Sequence, residues 1–176
     1  MRPHYQLRWQ QIAIACLCLG TWLPLNPLIP AAQAQGTPAT ASNLPANTER
    51  AFSLLREGRE KLWQQDYRGA IANFNQAVQL APNEANPYFN RGLVRFFLED
   101  QLGALSDFDN AVLRDPNHAF AYLYRAGILL SLGSQTEAIT DLQHAAQLFS
   151  EQGNQQGYQR AADLLQHFNP ASPPLN

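Results

Sequence analysis

Histidines, a scatter of carboxylates and a few regularly placed arginines are the residues of this chain that could do chemistry. His118, His144 and His167 stand far apart in the sequence. Histidine ligands to zinc are spaced a few residues apart, so these match no metal motif. No glycine-rich phosphate loop and no nucleophile elbow occurs. Asp107 and Asp109 are two apart on a helical stretch, so they point in different directions and cannot form a working acid–base pair. No catalytic residue, metal ligand or cofactor is expected. The arginines are more orderly. The interval from Arg91 to Asp107 is the same as that from Arg125 to Asp141, further along the chain. Glu57 and Asn73 hold the same two places earlier, so arginine and aspartate are lost together. The pattern points to an Arg–Asp pair bridging two elements, because the planar guanidinium matches a carboxylate. The alternative is two solvated charges.

The elements that would position these charges follow from a longer regularity. Ala70, Phe74, Ala77 and Pro82 recur as Ala104, Phe108, Ala111 and Pro116, then as Ala138, Leu142 and Ala145, with Ser150 in the last proline's place. The step is the same both times, and a constant period of this length marks stacked supersecondary units. Each unit reads as two helices and a tight turn. In the first, Thr48 is the expected N-cap of a helix to Gln64. Gln65-Asp66-Tyr67 forms the turn, and a helix over 68–80 stops before Pro82. The later turns fall at Glu99-Asp100 and Gly133-Ser134. Gly58, Gly92 and Ala126, separated by the same step, let the paired helices approach closely. After a polar break at 153–157, Tyr158, Ala161, Leu165 and Phe168 fall on one helical face. That suits a terminal helix sealing the last apolar surface.

These residues carry a resemblance to the tetratricopeptide repeat (TPR) family. The pattern is met by Leu54, Gly58, Tyr67, Ala70, Phe74, Ala77 and Pro82 in the first copy. The second copy has Tyr88, Gly92, Ala104, Phe108, Ala111 and Pro116, and the third Tyr122, Ala126, Gly133, Ala138, Leu142 and Ala145. Gln101 and Gln135 depart from it at the turn tyrosine. The resemblance implies an all-α fold, a right-handed α-α superhelix (solenoid) of three helix-turn-helix repeats plus a C-terminal capping helix. Its repeats would span 51–84, 85–118 and 119–152, with the cap at 157–168, in one domain over 48–168. It also implies a concave groove for a peptide or partner helix and no enzymatic activity.

Counting 100° steps along the first helices gives the expected groove wall: Phe52, Leu55, Arg56, Arg59 and Trp63, then Phe89, Asn90, Leu93 and Phe97, then Phe120, Leu123 and Tyr124. An apolar stripe of this kind marks a partner surface unless neighbouring repeats cover it. Members of the family that clamp a terminal carboxylate use lysine, arginine and asparagine at set positions. Here only Asn90 fits; Leu55, Phe120 and Tyr124 stand where basic or lysine positions fall.

The ends of the chain read differently. Arg2 and Arg8, the apolar run 12–19, Pro24, Pro27, Pro30 and then Ala32-Gln33-Ala34 make a signal peptide over 1–34. A lipid-anchored alternative at Cys16 fits less well. Both cysteines, Cys16 and Cys18, would leave with that segment, so no disulfide or thiolate site would remain. Losing Arg2 and Arg8 takes the formal charge from −2 to −4, which argues against a nucleic-acid partner. Residues 35–47 read as a flexible linker and 169–176 as a disordered tail. The expected protein is exported to the periplasm, a photosynthetic-membrane lumen or the medium. It has no membrane span in the mature chain and a protein or peptide as partner. A structural or self-associating envelope protein is the alternative.

Overall fold

A computed structural model describes residues 46–168. Seven helices follow one another there, and no strand occurs among the described residues. They are α1 (Ala46–Trp63), α2 (Tyr67–Leu80), α3 (Ala85–Phe97), α4 (Gln101–Arg114), α5 (Ala119–Leu132), α6 (Gln135–Glu151) and α7 (Gln155–Phe168). The signal segment at 1–34, residues 35–45 of the linker and the tail at 169–176 lie outside the described residues. Helices α1–α2, α3–α4 and α5–α6 form three hairpins, each packed on the next, and α7 closes against α6.

All three hairpins turn by one device. Gln65, Glu99 and Gly133, spaced by the repeat, take left-handed backbone with φ of 62°, 62° and 85°. Only in the third unit is that place held by glycine, the residue that adopts it without a steric penalty. The next residue caps the second helix. Asp66 Oδ1 accepts from the Gly69 amide at 2.9 Å and Asp100 Oδ1 from the Gly103 amide at 3.0 Å, whereas Ser134 makes no such bond.

Three boundaries differ from the sequence reading. Thr48 is not the N-cap of α1, because Ala46 and Asn47 extend the helix before it; alanine is the best helix former. The cap helix starts at Gln155, earlier than expected, because the Asn154 side chain accepts from the Gly157 amide at 2.9 Å. Helix α6 has 17 residues against 14 in α2 and in α4. Ser150 stands where Pro82 and Pro116 end the other two, and without that proline nothing removes the next helical hydrogen bond.

Phe74, Phe108 and Leu142 are buried between their paired helices, with Ala70, Ala77, Ala104, Ala111, Ala138 and Ala145 around them. Burying each large side chain contributes about 1.5–3 kcal/mol. A methyl on Gly58 would collide with the Phe74 ring, and one on Gly92 would sit 2.9 Å from the Phe108 Cε1. Unit three has the opposite combination: Ala126 is accommodated because Leu142 is shorter than phenylalanine. The cap repeats the arrangement, with Gly157 against the Phe149 ring and Ala161 and Leu165 buried.

Candidate partner-binding groove and the charge ladder

Helix α1 carries Phe52, Arg56, Arg59 and Trp63 at steps of four, three and four, which places them on one face. All four are exposed, Phe52 at 45% and Trp63 at 60%. The rest of the expected groove wall is less open. Leu55, Asn90, Leu93, Leu123 and Tyr124 are buried and so present no side chain to a partner. Packing between and within the units covers the leucines and Tyr124: Leu55 shares a cluster with Val94 of the next unit, Leu93 and Tyr124 share one with Phe108 and Ile128, and Leu123 packs with α6 and the cap. The Asn90 amide donates to the Asn86 carbonyl at 2.7 Å, so it is satisfied within its own helix.

Phe89, Phe97 and Phe120 are half-buried and held by other rings. Phe89 lies 5.9 Å from Tyr124 and 4.5 Å from His118, Phe97 lies 6.1 Å from Tyr67, and Phe120 meets Phe149 edge-on at 4.8 Å. They give the first-helix side a set, aromatic surface, since rings packed in this way lose little freedom on binding. The counting of helical steps treated each first helix as if its neighbour were absent, which is why it overstated the exposed set.

The arginines form a ladder. Arg91 grips Asp107 with two nitrogens, Nη2 at 2.6 Å and Nε at 3.0 Å, and Arg125 grips Asp141 at 2.6 and 2.7 Å. These two-pronged bonds fix geometry as well as charge. Each arginine also reaches back to the preceding unit. Arg91 Nη1 donates to Asn75 Oδ1 and Arg125 Nη1 to Asp109 Oδ1, both at 2.9 Å. Asn75 and Asp109 are themselves one repeat apart, each at the same interval ahead of its arginine, a signal present in the sequence but not used. Asp107 is only 1% exposed and receives a second guanidinium, Arg95 Nη1, at 2.8 Å. Arg95 also donates to the Gly103 carbonyl at 3.2 Å. In unit one the chemistry is weaker: Lys61 Nζ donates to Asn73 Oδ1 at 3.3 Å, and the Asn73 amide donates to Glu57 at 3.4 Å. The bond to Asp141 holds the Arg125 pKa well above its usual value, against the opposing pull of burial.

His118 is not a loose surface histidine. It is the N-cap of α5, its Nδ1 accepting from the Ala121 amide at 3.2 Å while its ring rests on Phe89. Burial pushes its pKa below the ordinary 6.5, and nearby Asp115 opposes that. His144 stands edge-on to Tyr122 at 5.4 Å, and His167 lies beside Phe168 at 4.8 Å, far along the chain from His118. Among the described residues no three metal-binding side chains gather.

Paired helices stacked at a fixed step, with aromatic and basic side chains along the first helices, define a helical solenoid of the TPR type. Residues 58–96 match the family described as TPR repeat. No curated protein matches the chain in sequence. Among solved structures it is similar to the Arabidopsis OM64 TPR domain at 26% identity, covering 69% of this chain and 98% of that one, with a TM-score of 0.60. It is similar to the Yersinia enterocolitica type III secretion translocator chaperone SycD at 16% identity, over 70% and 86%, TM-score 0.66. It is also similar to the first TPR of Spaghetti (RPAP3), solved bound to an HSP90 peptide, at 22% identity, over 70% and 94%, TM-score 0.63. These likenesses concern the fold.

Proposed function

We propose that this protein is an exported, non-enzymatic interaction module that holds a peptide or partner helix along its first helices. The α1 stripe carries the reading: two exposed aromatic anchors, Phe52 and Trp63, flank two exposed arginines, Arg56 and Arg59. Aromatic and arginine side chains are the types that dominate binding energy at interfaces. The arginines favour a partner segment with carboxylates, and they add rate more than affinity when solvated. That RPAP3's repeat domain was solved with an HSP90 peptide supports a peptide as occupant. The carboxylate clamp of such domains is mostly missing here, so anchoring is chiefly aromatic. Three units make a short surface, and an affinity near micromolar, about −8 kcal/mol, is the corresponding expectation. The leader-like start of the chain, residues 1–34, is the sole support for a bacterial, extracytoplasmic location; no described helix is long and apolar enough to cross a membrane.

Recovery of envelope proteins on the immobilised chain, beside a Phe52→Ala/Trp63→Ala double variant, tests the groove. One partner retained by the first and lost by the second is expected; equal recovery by both removes the reading. Self-association is the second reading, favoured by Leu102 and Leu113, which are 72% and 77% exposed outside the α1 stripe. A light-scattering mass that rises with concentration would support it, and a constant monomer mass would exclude it.

A further inference from the structure

The charge ladder is regular except at one place. In unit two, Arg95 completes the coordination of Asp107 by donating to its Oδ2 and to the Gly103 carbonyl. One repeat later the three positions are Leu129, Asp141 and Glu137. The internal cation has become leucine, and the glycine has become a carboxylate. Asp141 keeps Arg125, but no second cation reaches it among the described residues. What remains is an open cleft of about 360 Å³ between α4, α5 and α6. Leu105 and Leu129 line it, with Asp109, Glu137 and Asp141 as its carboxylates and Arg125 as the cation in its wall. Three carboxylates against one guanidinium leave two net negative charges. Arg125 is already committed through three nitrogens, to Asp141 and to Asp109.

We propose that this cleft receives the arginine side chain of a partner, its guanidinium taking beside Asp141 the place that Arg95 takes beside Asp107. Unit two supplies the template: the equivalent carboxylate and the equivalent backbone carbonyl hold a guanidinium within this same chain. The leucines match the alkyl stem of a long cationic side chain, which packs its methylenes on apolar surface and keeps its head polar. Arginine suits the site better than lysine, because the acceptors are spread along the cleft and a planar fork can reach more than one of them. The Glu137 carboxylate adds attraction at the rim. The site is lined by the second helices α4 and α6 and by Arg125 and Leu129 of α5, apart from the Phe52–Trp63 stripe, so its occupant does not depend on that stripe.

The test uses the full chain, labelled with nitrogen-15, titrated with Nα-acetyl-arginine amide in the millimolar range and, separately, with sodium chloride at equal ionic strength. Saturable shifts at the amides of Glu137, Thr140 and Asp141 are expected with the arginine compound only. Leu129→Arg should supply the cation internally, abolish those shifts and raise the melting temperature by several degrees. Glu137→Gln should weaken binding about threefold, the worth of one exposed ion pair, and Trp63→Ala should leave it unchanged. Shifts no larger than those with sodium chloride would overturn the proposal, as would a folded Leu129→Arg chain that still shows them. If Leu129→Arg does not fold, the Glu137→Gln arm decides alone, and unchanged affinity there is a negative result.

Discussion

Asp107 and Asp141 are equivalent by sequence but are not held alike. Asp107 has Arg91 and Arg95; Asp141 has Arg125 alone. Truncating Arg125 therefore strands a buried carboxylate, which costs about 3 kcal/mol or more. Truncating Arg91 leaves Arg95 in place and costs less. Urea midpoints of Arg125→Ala and Arg91→Ala should fall in that order; equal losses would show that the second guanidinium contributes nothing. His118 makes a second residue-scale prediction. Its imidazole must stay neutral at Nδ1 to accept the Ala121 amide, and its folded pKa lies below 6.5. As pH falls below 6.5 the unfolded chain takes up a proton that the folded chain refuses, so stability declines until the lower folded pKa is passed. His118→Asn keeps a capping oxygen and should flatten that part of the profile, whereas His118→Ala should lose about 1 kcal/mol at neutral pH. A wild-type profile with no decline on acidification through that range would refute the cap's role. The arginine–aspartate pairs were legible because covariation between copies exposes them. The histidine cap was not, because a histidine ahead of a helix looks the same whether its ring turns toward the backbone or into water.

Each hairpin turns through a left-handed residue, and two of the three are not glycine. Left-handed backbone costs a side-chain-bearing residue about 1–2 kcal/mol, while glycine adds about 0.5–1 kcal/mol of unfolded-state entropy. Glu99→Gly should therefore stabilise the chain by about 0.5–1 kcal/mol, read as a rise in melting temperature; a fall would mean the carboxylate does something at the turn. The turns themselves could be placed from sequence by their spacing. Their backbone sign could not, because only Gly133 advertises it. The same limit explains the groove. Helical steps correctly put Leu55, Leu93 and Leu123 on the first helices, but their burial comes from neighbours that a lone helix does not show: Phe74 and Val94 for Leu55, Tyr124 and Ile128 for Leu93, and α6 with the cap for Leu123.

At the scale of the whole array, the described residues form three hairpins, whose order was readable from the constant repeat step, and a cap, which was readable from the one-sided spacing of Tyr158, Ala161, Leu165 and Phe168. The cap contributes Ala161 and Leu165 to the last core and covers Phe149, Ala145 and Ala146. Ending the chain at Asn154 should remove about 3 kcal/mol or more of burial and let an apolar dye bind at unit three; a truncated chain with unchanged melting and no dye binding would show the cap to be ornamental. The ladder has a last consequence. Residues 85–118 hold an arginine that reaches back, Arg91, a carboxylate that answers it, Asp107, and a carboxylate offered forward, Asp109. The middle hairpin is thus a tile whose two edges fit each other. Unit one has Glu57 where the backward arginine would be, and unit three has Gln143 where the forward carboxylate would be. A tandem copy of the middle tile would set Arg91 against the carboxylate of Asp109, where its present seam with unit one rests on the neutral amide of Asn75.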